Sequence, residues 1–193
     1  MKLSDLQYAP DLALPVPTVM FRVQRLRQRK GTVATGHFRT PGRGVALNRF
    51  DLSTDEVGYC AEAAETAIYE SLARREALVL SLSLVATRCL LVLQTTRSLR
   101  LLDLRSHATH FPVLQSLRTH VTRDIAQQAR AVGYQGIVYR SAQQYGADCY
   151  ALFGATMAAF RLISKFPLID PHSGALHRAV AAALLGSQVP VAE

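Results

Sequence analysis

A chain of 193 residues, 49% hydrophobic and 19% charged with a formal net charge of +8, can bury about 70% of its unfolded surface; this excludes a disordered tail or a cross-linked miniprotein. Its three cysteines, Cys60, Cys89 and Cys149, form no CxxC or Cys/His ligand spacing, and an odd count is a poor disulfide framework, so a reducing, cytoplasmic setting is expected. The first residues carry an acid and no continuous apolar run, and the most apolar tract, Ala77 to Leu93, contains Arg88 and is too short for a bilayer, so neither a signal peptide nor a transmembrane segment is expected.

In chain order, Pro10, Pro15 and Pro17 make residues 1–18 an extended lead-in arm, and residues 19–193 are expected to form one domain. A first strand is predicted from Val19 to Gln24. The Gly-rich stretch from Gly31 to Gly44 reads as a loop whose backbone approaches something closely. Between Leu12 and Phe50 lie eight Lys/Arg residues and no acid, a block whose field attracts any anion and whose plainest reading is a solvated basic surface.

Apolar residues at Ala64, Ala67, Ile68 and Leu72 predict an amphipathic helix over Ala61 to Arg75, fed by a short strand ending at Tyr59. Ala77 to Leu84, Thr87 to Gln94 and Ser98 to Leu104 read as three partly buried strands. A helix over Thr119 to Ala131 with Gly133 as its stop is followed by strands Gly136 to Arg140 and Cys149 to Phe153. A last helix spans Gly174 to Leu185, with Gly186 as its stop. Helices and strands mix without strict alternation, which makes the class α+β around a curved, mixed or mostly antiparallel sheet.

Two segments carry the densest chemistry, Asn48-Arg49-Phe50-Asp51-Leu52 and Tyr59 through Thr66-Ala67-Ile68-Tyr69-Glu70. Phe21-Arg22 precedes them, and Tyr139-Arg140-Ser141-Ala142 lies far downstream. Glu70 sits off the apolar stripe of its helix, and an ion pair with Arg74 at i+4 would account for it as an ordinary surface residue. Glu62 and Glu65 are the alternative carboxylates, better explained as helix-start charges. Arg22 is one basic residue among Arg25, Arg27 and Arg29, yet its planar fork suits phosphate oxygens. Tyr59 fits a stacking platform, a hydroxyl hydrogen-bonder or a buried strand tyrosine equally well. His107, His110 and His120 match no metal framework, no phosphate-cradling P-loop is present, and no metal is expected.

In their order these segments resemble the RES family, named for its arginine, glutamate and serine, over roughly Met20 to Phe153. The resemblance implies an ADP-ribosyltransferase-like fold and the toxin of a bacterial toxin–antitoxin pair that depletes NAD by cleaving its nicotinamide–ribose bond. NAD is then a substrate, and no cofactor is implied. Glu70, Arg22 and Ser141 match the family's catalytic glutamate, arginine and serine, while Arg49, Tyr59 and Arg140 become substrate-binding candidates. An Xre-like helix-turn-helix antitoxin is the implied partner, with which a homo-oligomer within the complex is compatible; direct nucleic-acid or membrane contact is not implied. Where family members often continue from the serine with an arginine, this chain has Ala142-Gln143-Gln144, which weakens phosphate binding or moves it to Arg140 or Arg49. Transfer of ADP-ribose to a protein, a degenerate inactive RES protein serving as a binding partner, and a basic nucleic-acid-binding module with pI near 9.9 are the rival readings.

Overall fold

The computed structural model describes residues 2–6, 10–116 and 119–193. Its first half contains β1 (Asp11–Leu14), β2 (Val19–Arg25), β3 (Thr32–Thr35), β4 (Phe38–Pro41), β5 (Val57–Ala61), α1 (Ala64–Ser71), β6 (Leu80–Ser81), α2 (Leu82–Ala86) and β7 (Arg88–Thr95). Then come β8 (Leu99–Asp103), α3 (Thr119–Ala131), β9 (Gly136–Arg140), β10 (Asp148–Phe153), β11 (Phe160–Pro167), α4 (Arg178–Ser187) and β12 (Val191–Ala192). Eight strands form one curled sheet in the order β1-β8-β9-β10-β5-β2-β7-β11, antiparallel except for the β8–β9 pair, whose parallel crossover is made by α3. The expected α+β class with a mixed sheet flanked by helices is borne out.

Both faces of the sheet are covered, which explains why its central strands are continuously apolar instead of alternating. Neighbouring residues point to opposite sides: Leu90, Leu102, Ile137 and Ala151 join the core beneath the helices with Ile68, Ile125 and Val180. Leu91, Leu101, Val138 and Leu152 join a second core with Met20, Phe38, Met157 and Phe160, under the β3–β4 hairpin and the 3-10 turn Gly154–Ala159. Every residue of β10 is buried.

Several expected elements differ. The strand expected over Ala77 to Leu84 shrinks to β6, because the Ser81 hydroxyl accepts from the Leu84 amide and caps α2, in which Leu and Ala favour helix and Val85 is buried. The expected glycine-rich loop contains the β3–β4 hairpin, turning at Gly36. The last helix starts at Arg178, since the Asp170 carboxylate holds the His172 and Ser173 amides in a turn before it. Gly186 lies inside that helix, where a Cβ would stand 2.1 Å from the Tyr69 hydroxyl of α1. Residues 11–14 of the lead-in stretch form β1, paired antiparallel with β8 at the sheet edge. The eight-residue strand β11, in the stretch beyond Phe153, forms the other edge against β7.

Gly136 begins β9, the strand that leads to Ser141. A Cβ there would lie 2.4 Å from the Ala151 carbonyl oxygen, which is backbone of the partner strand and cannot swing aside. Gly136→Ala is expected to destabilise the fold by about 1–3 kcal/mol, read as a lower urea midpoint at unchanged slope.

Candidate functional site

Strand β5 pairs with β10 along its whole length, and β2 pairs likewise with β7, but β2 and β5 meet only at Phe21 and Ala61. The sheet is thus split into two ribbons. A cleft of about 480 Å³ has both of these strands in its wall and is lined among others by Arg22, Arg49, Tyr59, Glu70, Arg74 and Gln143.

Arg22 stitches the split. Its Nη1 donates to the Tyr59 carbonyl at 2.6 Å on β5, Nη2 to the Arg39 carbonyl at 2.8 Å on β4, and Nε to the Gln24 side chain at 3.4 Å. The guanidinium also lies over the Phe38 ring at 5.4 Å. Burial pulls its pKa below the ordinary arginine value. These bonds use three of the five N–H groups of a guanidinium, so Arg22 shapes the cleft and keeps donors for an anion.

Glu70, in the last turn of α1, makes no ion pair with Arg74, which binds Glu76 at 2.7 Å instead. Its Oε1 accepts from the Ser141 hydroxyl at 2.5 Å and the Ala142 amide at 3.1 Å, and stands 4.0 Å from Arg49 Nη2. The Ser141 hydroxyl itself accepts from the Gln143 and Gln144 amides at 3.0 and 2.9 Å, so its single proton is directed at Glu70. No described residue donates to Glu70 Oε2. Glu62 accepts from the Asp148 amide at 2.7 Å and Glu65 faces a separate groove, so neither alternative carboxylate lines this cleft.

Arg49 is buried, its Nη1 donating to the Leu114 carbonyl at 3.0 Å and its guanidinium 4.7 Å from the centre of the Tyr139 ring. Its Nη2 is buried without a hydrogen-bond partner. The loop carrying Arg49 is fixed by residues that the sequence did not single out for this task. The buried Asp51 carboxylate accepts from the Leu47 and Asn48 amides at 2.7 and 2.6 Å and from the Tyr59 hydroxyl at 2.8 Å. From α3, Thr122 donates to the Arg49 carbonyl, and Arg123 donates to the carbonyls of Asn48 and Ala46, both at 3.0 Å. An Asp closing on amides three and four residues earlier is the one local signal in the sequence.

Tyr59 also accepts from the Phe50 amide at 3.1 Å, so its hydroxyl is committed to the wall, and the residue is one of those lining the cleft. Burial, reinforced by Asp51, pushes the phenol well above its ordinary pKa and keeps that proton in place. Burial likewise pushes the Cys60 thiol up to about 12, and burial with the Glu70 carboxylate raises Cys149, so neither cleft cysteine offers a thiolate nucleophile.

Arg140 is not brought to the cleft. It donates to the Gly146 carbonyl and to Asp148, both at 2.6 Å, in a network with Arg105 and Asp103 that closes the loop behind Ser141. Gln143 and Gln144 tie that loop to the helix side: Gln143 accepts from the Arg75 amide at 2.7 Å and Gln144 from Thr66 at 2.6 Å. Among the described residues no group of three or more His, Cys, Asp or Glu could hold a metal ion.

The family model of the RES domain matches residues 20–176. The chain belongs to the RES domain family. The match extends past Phe153, where the similarity of individual residues ends, into the segment after β11. The fold of this RES domain is shared with a chain of the Mycobacterium tuberculosis MbcT–MbcA toxin–antitoxin complex, at a TM-score of 0.61 and 10% identity over 82% of this chain and 86% of that one. No curated protein matches.

Ser141→Ala removes one donor from Glu70 and leaves two amides, one buried and one partly buried, without their acceptor. A loss of about 1–3 kcal/mol is expected, against less than about 0.5 kcal/mol for Arg27→Ala on the exposed surface, both measured by urea unfolding.

Proposed function

We propose that this RES domain is the toxin of a bacterial toxin–antitoxin pair and that it depletes NAD by cleaving the nicotinamide–ribose bond. The observation that carries the reading is Glu70: a carboxylate in a cleft, held on one oxygen by Ser141 and Ala142, with no described donor on the other and with cationic side chains around it. Nicotinamide leaves the ribose as a neutral molecule, taking the bonding electron pair with it, so departure needs no proton. What it needs is stabilisation of the ribosyl cation left behind, and a preplaced anion supplies that. Water or phosphate then adds to the anomeric carbon, and the proton released by water passes to the carboxylate or to solvent. The Tyr59 ring is the stacking surface for the nicotinamide, and Arg49 and Arg22 attract the diphosphate.

The antitoxin partner is proposed as an Xre-like helix-turn-helix protein that blocks the cleft and itself contacts DNA. The cytoplasm is the proposed location; among the described residues no helix is long and apolar enough to cross a membrane.

Purified protein incubated with NAD is expected to release free nicotinamide, and Glu70→Gln to lower the rate by about 100- to 1000-fold with the fold intact. Expressed alone, the protein should stop bacterial growth and lower cellular NAD, with rescue by the co-expressed antitoxin. No nicotinamide release would sink the reading; ADP-ribose appearing on a cell protein would redirect it to protein ADP-ribosylation.

A further inference from the structure

Arg74 is the residue whose sequence reading and position differ most. Expected as the surface partner of Glu70, it turns away from that carboxylate and lines the cleft, its Nη2 paired to Glu76 Oε1 at 2.7 Å. Its Nε is buried and has no hydrogen-bond partner, as is Nη2 of Arg49. Only four buried side-chain polar atoms among the described residues lack a partner, and two of them are guanidinium nitrogens of one cleft. A buried N–H without an acceptor is costly, and both nitrogens belong to residues that line one cleft, with the Glu70 carboxylate 4.0 Å from Arg49 Nη2 and outside hydrogen-bond reach; an anion with several oxygens bound in the cleft can offer both an acceptor.

Glu76, on the same wall, is the anion that now pairs with Arg74, through Nη2 and not through the unpartnered Nε. It is itself held by Gln143, whose Nε2 donates to Glu76 Oε2 at 3.3 Å while its Oε1 accepts from the Arg75 amide at 2.7 Å. Gln143 therefore fixes the Arg74–Glu76 segment from the serine loop. The Arg74 and Glu76 side chains are 42% and 44% exposed, so their ion pair contributes little and can open at small cost.

We propose that Arg74 and Arg49 form a diphosphate clamp, and that Glu76 is an internal stand-in for the ligand, released from Arg74 when a diphosphate binds. This deepens the NAD reading and rests on it for the identity of the natural ligand; the clamp itself recognises a diphosphate, free or within a dinucleotide. Gln143 is a positioning residue in this arrangement and touches no ligand.

The test is calorimetric titration of the full chain with inorganic pyrophosphate at near-physiological salt. Arg74→Ala is expected to weaken binding by about 10- to 100-fold, with Arg74→Lys between it and wild type because a point charge replaces the fork. Glu76→Gln is expected to tighten binding about two- to fivefold by removing the competitor, and Arg27→Ala to leave it unchanged. The opposite signs at Arg74 and Glu76 separate a ligand exchange from general damage to the wall. Absence of pyrophosphate binding by wild type, wild-type affinity in Arg74→Ala, or weaker binding in Glu76→Gln would overturn the proposal. Nicotinamide release from NAD with an unaltered KM in Arg74→Ala rejects the clamp and keeps the NAD reading. Arg74-dependent pyrophosphate binding without nicotinamide release keeps the clamp and rejects that reading.

Discussion

In the proposed reaction a carboxylate faces a positive charge and must be held in place without being neutralised, and the hydrogen bonds to Glu70 fit that demand. Both direct donors, the Ser141 hydroxyl and the Ala142 amide, are uncharged and fall on one oxygen, while the nearest cation, Arg49, stands off at 4.0 Å. A contacting guanidinium would have quenched the charge; a free side chain would have lost its direction. The surrounding architecture serves this one geometry: β9 delivers the serine, the Arg140–Asp148 network closes the loop behind it, and α1 brings the glutamate across.

The basic block between Leu12 and Phe50 looks uniform as a charge count and is not uniform in space. Arg22 bridges the two ribbons of the sheet, Arg39 donates to the carbonyls of Arg25 and Leu26 at the end of β2, Arg43 pairs with Glu56, and Arg49 enters the cleft. Arg27, Arg29 and Lys30 remain exposed. The field that drew attention to nucleic acid is therefore the sum of several separate tasks, most of them structural.

The helix Thr119–Ala131 and the strands around Val19, Gly136 and Cys149 were legible because their apolar periodicity and stop residues agree. The strand predicted at Ala77 was not, because its Leu and Val content reads as a buried strand, whereas Ser81 caps a short helix whose Val85 is buried in the tertiary core. At the site, Glu70, Arg22 and Ser141 emerged from their order along the chain and from no local pattern. The structure joins Glu70 to Ser141 directly and puts Arg22 in the split of the sheet. Arg74 and Asp51 stayed hidden for a physical reason: each owes its part to partners settled by tertiary contacts, Glu76 and Gln143 for one, Tyr59 and a folded-back loop for the other. Arg140 illustrates the reverse, a residue beside the serine whose side chain closes a loop.

The close approach of Gly186 to Tyr69 has a consequence for what counts as the functional unit. Helix α4 contributes Ala179, Val180 and Ala183 to the same core as Ala67 and Ile68 of α1, and Gly186 admits the tyrosine between them. The helix that bears Glu70 is thus seated from behind by a segment that contains none of the residues by which the family is recognised. A chain cut after Phe153 would keep each named side chain and lose the bearing surface that aims the glutamate. The seating of that helix thus depends on a small residue more than one hundred positions from Glu70, where an added methyl would have to displace the Tyr69 hydroxyl.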